Sequence, residues 1–141
     1  MYADRIELIF DAGHRLLKYK GKCESPHGHT FKAEIMLSSE KLDEMGFVAD
    51  FIELRDKIGE WVDEHWDHAF LINNQDRELM SALNSLNEKK VFVFDNANPT
   101  AEVMAKYLYD QSRKLYGDMV LKVRIWESPN QYAEYSQAMV K

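Results

Sequence analysis

Two stretches decide the fold: Ile6-Glu7-Leu8-Ile9-Phe10-Asp11-Ala12-Gly13-His14 and, after a polar interval, His27-Gly28-His29-Thr30-Phe31-Lys32-Ala33-Glu34-Ile35-Met36-Leu37. Ile6, Leu8, Phe10 and Ala12 alternate with more polar neighbours, and Phe31, Ala33, Ile35 and Leu37 do the same. A period of two is the mark of half-buried strands. The interval Lys18-Tyr19-Lys20-Gly21-Lys22-Cys23-Glu24-Ser25-Pro26 is too polar, and too punctuated by Gly and Pro, to continue either strand. It reads as an exposed loop.

Beyond this pair, Asp50 is a plausible N-cap for a helix over about 51–65, with Phe51, Leu54, Ile58, Trp61, Val62 and His65 at helical spacing. A second helix begins at Asn98-Pro99-Thr100-Ala101-Glu102, with Thr100 as cap, and runs through Val103, Met104, Tyr107, Leu108 and Leu115 to Gly117. Val91-Phe92-Val93-Phe94, between the helices, looks like a short strand. Leu121, Val123 and Ile125 alternate with Lys122, Arg124 and Trp126, and a Ser128-Pro129-Asn130 turn leads into a closing strand from Gln131 to Val140. The order ββααββ predicts an α+β fold: a four-stranded, mostly antiparallel sheet with two helices on one face. Such a sheet has open edges, which pairing between subunits would satisfy.

At 141 residues the chain is one domain, 1–141, and no repeat or linker divides it. Apolar residues make up 45% and charged residues 30%, with no apolar run long enough to span a bilayer. Met1-Tyr2-Ala3-Asp4-Arg5 does not open a secretory signal, so the expected compartment is the cytoplasm. Eighteen Lys and Arg against 24 Asp and Glu give a net charge of −6, which argues against a nucleic-acid or anionic-membrane partner. The single cysteine, Cys23, rules out an internal disulfide framework and an all-thiolate zinc site.

The chemistry collects at the strand ends. His14 continues the even row of the first strand, and His27 and His29 lead into the row of Phe31 on the second. Residues two apart on a strand point the same way, so three imidazoles can converge. Three neutral imidazoles with a free fourth position make the arrangement of a catalytic zinc; histidines satisfied in the core or at the surface are the alternative. Cys23 shares its loop with Lys20 and Lys22, cations that favour a thiolate able to act as base or nucleophile, against an inert loop cysteine. Asp67 precedes His68, where the carboxylate could orient the imidazole if the backbone bends. Glu127 continues the row Leu121-Val123-Ile125 and so points inward. Its partner is either Arg124 or Arg15, or a flat ligand edge carrying several N–H donors. Glu102, in the first turn of its helix, reads as a partner of the helix dipole.

Taken together, Phe10-Asp11-Ala12-Gly13-His14, Cys23-Glu24-Ser25-Pro26-His27-Gly28-His29, Gly46-Phe47-Val48-Ala49-Asp50-Phe51, Asp67-His68-Ala69-Phe70-Leu71 with Asn73, Asn98-Pro99-Thr100-Ala101-Glu102 and Trp126-Glu127-Ser128 resemble the 6-pyruvoyl- and 6-carboxy-tetrahydropterin synthase family. The resemblance implies the tunnelling fold, in which three subunits close their sheets into a barrel and two trimers stack into a homohexamer. It implies Zn(2+) on His14, His27 and His29, Cys23 as proton-abstracting group, Asp67 and His68 as its relay, and Glu127 as anchor of the pterin. Thr100 and Glu102 fall in the family's pterin-side loop. The chain carries both versions of the residue ahead of His-Gly-His, Cys23 four before His27 and Glu24 three before it, and so resembles a dual-motif subgroup.

The implied activity is a zinc-dependent lyase converting 7,8-dihydroneopterin triphosphate to 6-carboxy-5,6,7,8-tetrahydropterin for the queuosine route. Alternatives are side-chain cleavage to 6-hydroxymethyl-7,8-dihydropterin for folate, with Glu24 as catalytic acid or base, elimination to 6-pyruvoyl-tetrahydropterin, and a non-catalytic pterin- or zinc-binding module. The segment from Asn74 to Lys90 is longer than in short bacterial members.

Overall fold

The computed structural model describes residues 1–18, 21 and 24–137. The elements run β1 (Tyr2–His14), β2 (His27–Ser39), α1 (Phe51–His65), β3 (Ala69–Asn73), α2 (Arg77–Asn84), β4 (Val91–Phe94), α3 (Ala101–Tyr116), β5 (Val120–Ser128) and β6 (Gln131–Tyr135). β1 and β2 pair antiparallel in unbroken register from Tyr2↔Ser39 to His14↔His27. The period of two therefore holds along the whole hairpin. Ile6, Phe10, Ala12 and His14 are buried on the same face as Phe31, Ala33, Ile35 and Leu37.

α1 starts where expected because the Asp50 carboxylate accepts the N–H groups of Ile52 at 2.8 Å and Glu53 at 3.5 Å. Leu54, Ile58 and Val62 bury its inner face, which packs against β1, while Phe51 at its start lies exposed. Thr100 caps α3 through its hydroxyl oxygen, and Gly117 ends it at φ +58°, a conformation that favours glycine. Met104, Ala105 and Leu108 join the core as α3 lies across β5 and β6. No described helix is long and apolar enough to cross a membrane.

The α+β class stands, but among the described residues the sheet has six strands rather than four, and three α-helices accompany it rather than two. The strand order is β4-β3-β1-β2-β5-β6, with β3 parallel to β1 and β4 parallel to β3, so the sheet is mixed. β3 escapes a periodicity argument because it is five residues long and Leu71, Ile72 and Asn73 are buried in succession. α2 is only eight residues long. The closing strand ends at Tyr135 rather than Val140, and residues 138–140 lie outside the described residues.

The face of the sheet opposite the core is a charge ladder. Arg5, Lys32 and Arg124 surround Glu34, which is 4% exposed and accepts the Trp126 indole N–H at 2.9 Å. At one end of this face, the paired Gly13 and Gly28 leave bare backbone. A Cβ on Gly13 would stand 2.8 Å from the Phe70 ring, and one on Gly28 would stand 3.2 Å from the Ala12 carbonyl. Gly13→Ala should cost about 1–3 kcal/mol by overpacking, read as a lowered midpoint in urea unfolding. A variant as stable as the wild type would show that Phe70 yields freely.

Candidate functional site

His14 and His27 close the β1–β2 hairpin as direct partners, and His29 follows two residues along on the same face. Their ring centroids lie 4.7–5.1 Å apart, edge-on to one another, and Phe31 underlies His14 and His29. One ligand atom from each of the three lies within 4.8 Å of the others. His14 Nδ1 donates to the Pro99 carbonyl at 2.7 Å, and His27 Nδ1 donates to the Ser25 carbonyl at 2.7 Å. A proton fixed on Nδ1 leaves the Nε2 lone pair for a ligand.

The donor set fits a metal. His14 is 1% exposed, and its Nε2 is buried without a hydrogen-bond partner. The Nε2 atoms of His27 and His29 are 3.1 Å apart; ligands of a tetrahedral zinc at about 2.0–2.1 Å stand roughly 3.3 Å from each other. Burial lowers the His14 pKa, with His27 and His29 adding to the fall against the Pro99 hydrogen bond and the Glu127 charge. Burial also lowers that of His29, with Glu127 opposing. Both imidazoles thus favour the neutral form that ligates metal.

The Glu127 carboxylate is half-buried, and its charge opposes the fall in the pKa of two of the three imidazoles. Neither arginine offered as its partner is free. Arg124 bonds Glu134 at 2.6 Å, and Arg15 bonds Asp76 through two N–H groups at 2.5 and 2.6 Å. No hydrogen bond or ion pair engages the Glu127 side chain among the described residues. It lines a cavity of about 420 Å³ with Ala101, Glu102, Gln131, Tyr132 and Glu134. Three carboxylates in that wall suit a neutral ligand edge rich in N–H donors and disfavour a phosphate there. The Thr100 hydroxyl oxygen accepts the Val103 N–H at 3.2 Å, so its acceptor role serves the helix.

Asp67 and His68 do touch. His68 takes φ +60°, which supplies the bend that adjacent side chains need, and its Nδ1 lies 3.0 Å from Asp67 Oδ2. Asp67 Oδ1 accepts the Asp11 N–H at 3.0 Å, and Lys90 Nζ donates to the Asp67 carbonyl at 2.7 Å. Burial raises the Asp67 pKa, but the bonds from Asp11 and His68 outweigh it and hold the group below its ordinary range. The imidazole itself is 77% exposed.

β3 pairs Ala69 with Ala12 on the core face, and His68 stands at the exposed bend just before it. It shares a cleft of about 560 Å³ with Asp11, His29, Thr30, Phe70 and the bare backbone of Gly13 and Gly28. No hydrogen bond or ring contact joins His68 to the triad among the described residues.

Glu24 is exposed and lines a separate cavity of about 170 Å³ with Arg15, Leu17, Lys18 and Glu78. Cys23, with Lys20 and Lys22, lies outside the described residues. The residues that orient the site were not found from sequence. The Pro99 and Ser25 groups are main-chain carbonyls, which leave no mark in residue type, and the Arg15–Asp76 pair joins positions 61 apart.

A protein-family model described as 6-pyruvoyl tetrahydropterin synthase matches residues 5–138. The chain is 34% identical over 134 residues to 6-carboxy-5,6,7,8-tetrahydropterin synthase of Rickettsia conorii, covering 92% of this chain and 95% of the relative. It is 28% identical to the enzyme so named in Haemophilus influenzae, over 93% of this chain and 96% of the relative. Among solved structures, an uncharacterized protein from Wolinella succinogenes superposes with a TM-score of 0.81 at 23% identity, over 97% of this chain and 98% of the other. The 6-pyruvoyl tetrahydropterin synthase of Caenorhabditis elegans superposes at 0.69 with 23% identity, over 98% of each chain.

Proposed function

The chain belongs to the 6-pyruvoyl tetrahydropterin synthase family, and from that premise we propose that it is a zinc-dependent lyase making 6-carboxy-5,6,7,8-tetrahydropterin from 7,8-dihydroneopterin triphosphate. The observation that carries the reading is the convergence of His14, His27 and His29, together with a half-buried Glu127 that has no hydrogen-bond or ion-pair partner among the described residues. Zinc held by the three imidazoles supplies Lewis acidity to the hydroxyls of the substrate side chain. Glu127 accepts the N–H groups of the pterin's amidine-like edge and so sets the ring's orientation. Glu102 and Ala101 wall the same cavity, and Thr100 holds the start of α3 beside it. Cys23, as thiolate, removes a proton from a side-chain carbon, and His68, oriented by Asp67, carries protons to and from the substrate.

With no hydrogen bond or ring contact to its own chain's triad among the described residues, His68 serves the triad of a neighbouring copy. The sheet ends in two unpaired edges, β4 and β6, and closing them in a ring of copies gives the barrel of a trimer, two of which stack as a homohexamer. His68→Asn keeps a residue that tolerates φ +60° and should lower kcat by about 10²–10⁴-fold with zinc content unchanged. Mixed oligomers of His68→Asn and His29→Ala should regain activity that neither variant has alone. Absence of any recovery from mixed oligomers would mean that each chain completes its own site.

The deciding experiment incubates zinc-loaded protein with 7,8-dihydroneopterin triphosphate and, separately, with unphosphorylated 7,8-dihydroneopterin, and identifies products by chromatography and mass. 6-Carboxy-tetrahydropterin from the triphosphate is the expected result. A dominant 6-hydroxymethyl-7,8-dihydropterin would transfer the acid–base role to Glu24 and the pathway to folate, and unchanged substrate would leave a binding module.

A further inference from the structure

We propose that Asn98 is a positioning residue for the metal centre, clamping the chain that leaves His14 to the turn whose carbonyl orients the His14 ring. The inference rests on the reading of His14, His27 and His29 as metal ligands. Asn98 engages both ends of its amide. Its Oδ1 accepts the Leu17 N–H at 3.0 Å, and its Nδ2 donates to the Leu17 carbonyl at 3.0 Å, so one side chain holds both backbone groups of one residue. The same Oδ1 accepts a third bond, at 3.1 Å, from the Nδ2 of Asn73, which is 6% exposed at the end of β3. Asn98 also closes its own turn, since its carbonyl accepts the Thr100 N–H at 2.8 Å.

The next residue, Pro99, gives the carbonyl that His14 Nδ1 meets at 2.7 Å. His14 is three residues before Leu17, so the contacts form a closed circuit: His14 through the chain to Leu17, across to Asn98, on to Pro99 and back to the His14 ring. A carbonyl fixes an imidazole's tautomer and angle only as firmly as it is itself held. Proline has no N–H with which to anchor its own carbonyl, so the anchorage falls to its neighbours. Here it falls to Asn98, whose amide is the one side chain spanning the turn and the strand exit among the described residues.

The test measures zinc affinity of the full-length protein by competition with a chromophoric chelator, together with the visible absorption of the cobalt-substituted form and the melting temperature of the metal-free form. Asn98→Ala should bind zinc roughly 10- to 100-fold more weakly and shift the cobalt spectrum. Asn98→Asp keeps the Oδ1 acceptor for Leu17 and Asn73 but sets a carboxylate oxygen against the Leu17 carbonyl where the donor stood, and should also weaken zinc binding. Ile58→Ala, a core change in α1 remote from the circuit, controls for destabilisation and should bind zinc as the wild type does. If Asn98→Ala fails to fold, Asn98→Asp alone decides, by binding zinc more weakly than the Ile58→Ala control. Wild-type affinity and spectrum in a folded Asn98→Ala, or equal losses in Asn98→Ala and Ile58→Ala, would overturn the proposal. A wild-type protein that takes up no zinc would instead overturn the metal reading beneath it.

Discussion

His29→Ala should empty the metal centre and leave the fold standing. His29 sits at the partly exposed end of its strand, where alanine removes an imidazole without opening a hole in the core. His14 offers no such clean test, since it is 1% exposed and its loss would also create a cavity. With two ligands left, zinc content should fall from one per chain to a trace by mass spectrometry of dialysed protein. Turnover should fall by about 10²–10³-fold, the value of several kcal/mol of Lewis-acid stabilisation, while circular dichroism stays that of the wild type. Full turnover by the zinc-free variant would remove the metal from the mechanism.

Asp76→Ala should have the largest effect on stability. Asp76 is 2% exposed and holds the Arg15 guanidinium through two bonds, at 2.5 and 2.6 Å, while its Oδ1 also caps α2 by accepting the Leu79 N–H at 3.2 Å. Removing it strands a cation that is only 15% exposed, with Glu78 left to it at 3.5 Å. The expected loss is about 3–5 kcal/mol, measured by urea unfolding at pH 7. The pH dependence has a fixed sign. The bond to Arg15 lowers the Asp76 pKa below its ordinary 3.8, against the opposing effect of burial and with help from the Leu79 N–H. Its stabilisation is therefore complete above pH 3.8 and disappears as pH falls through the lower folded value. Wild type and variant should converge in stability at strongly acid pH, and a gap that stays constant there would locate the effect in packing.

The hairpin was legible because its pattern is redundant. Four alternating apolar residues on each strand fix the parity of everything beyond them, including three histidines. The two longer helices were legible because Asp50 and Thr100 cap them and a 15- or 16-residue stripe repeats its period several times. β3 and α2 gave no such repetition. Missing β3 had a cost at the site, because its pairing with β1 sets Ala69 against Ala12 and so places the bend that carries His68. Glu127 was read as inward-facing from its parity and is half-buried, but that it lacks a protein partner among the described residues depended on where two arginines had already been used.

Glu34 has a consequence for the order in which the molecule assembles. Its neighbours Glu7 and Lys32 are local to the hairpin, but the indole that bonds it and the guanidinium beside it come from Trp126 and Arg124, about ninety positions later. Until β5 has been synthesised and docked, that carboxylate keeps its water and the edge of β2 stays open. A slip of one residue in the docking would turn the charge toward the apolar side, so mis-registered pairings are unstable from the start. Growing chains released before residue 120 should remain collapsed but unsealed along β2, with the Glu34 carboxylate still hydrated.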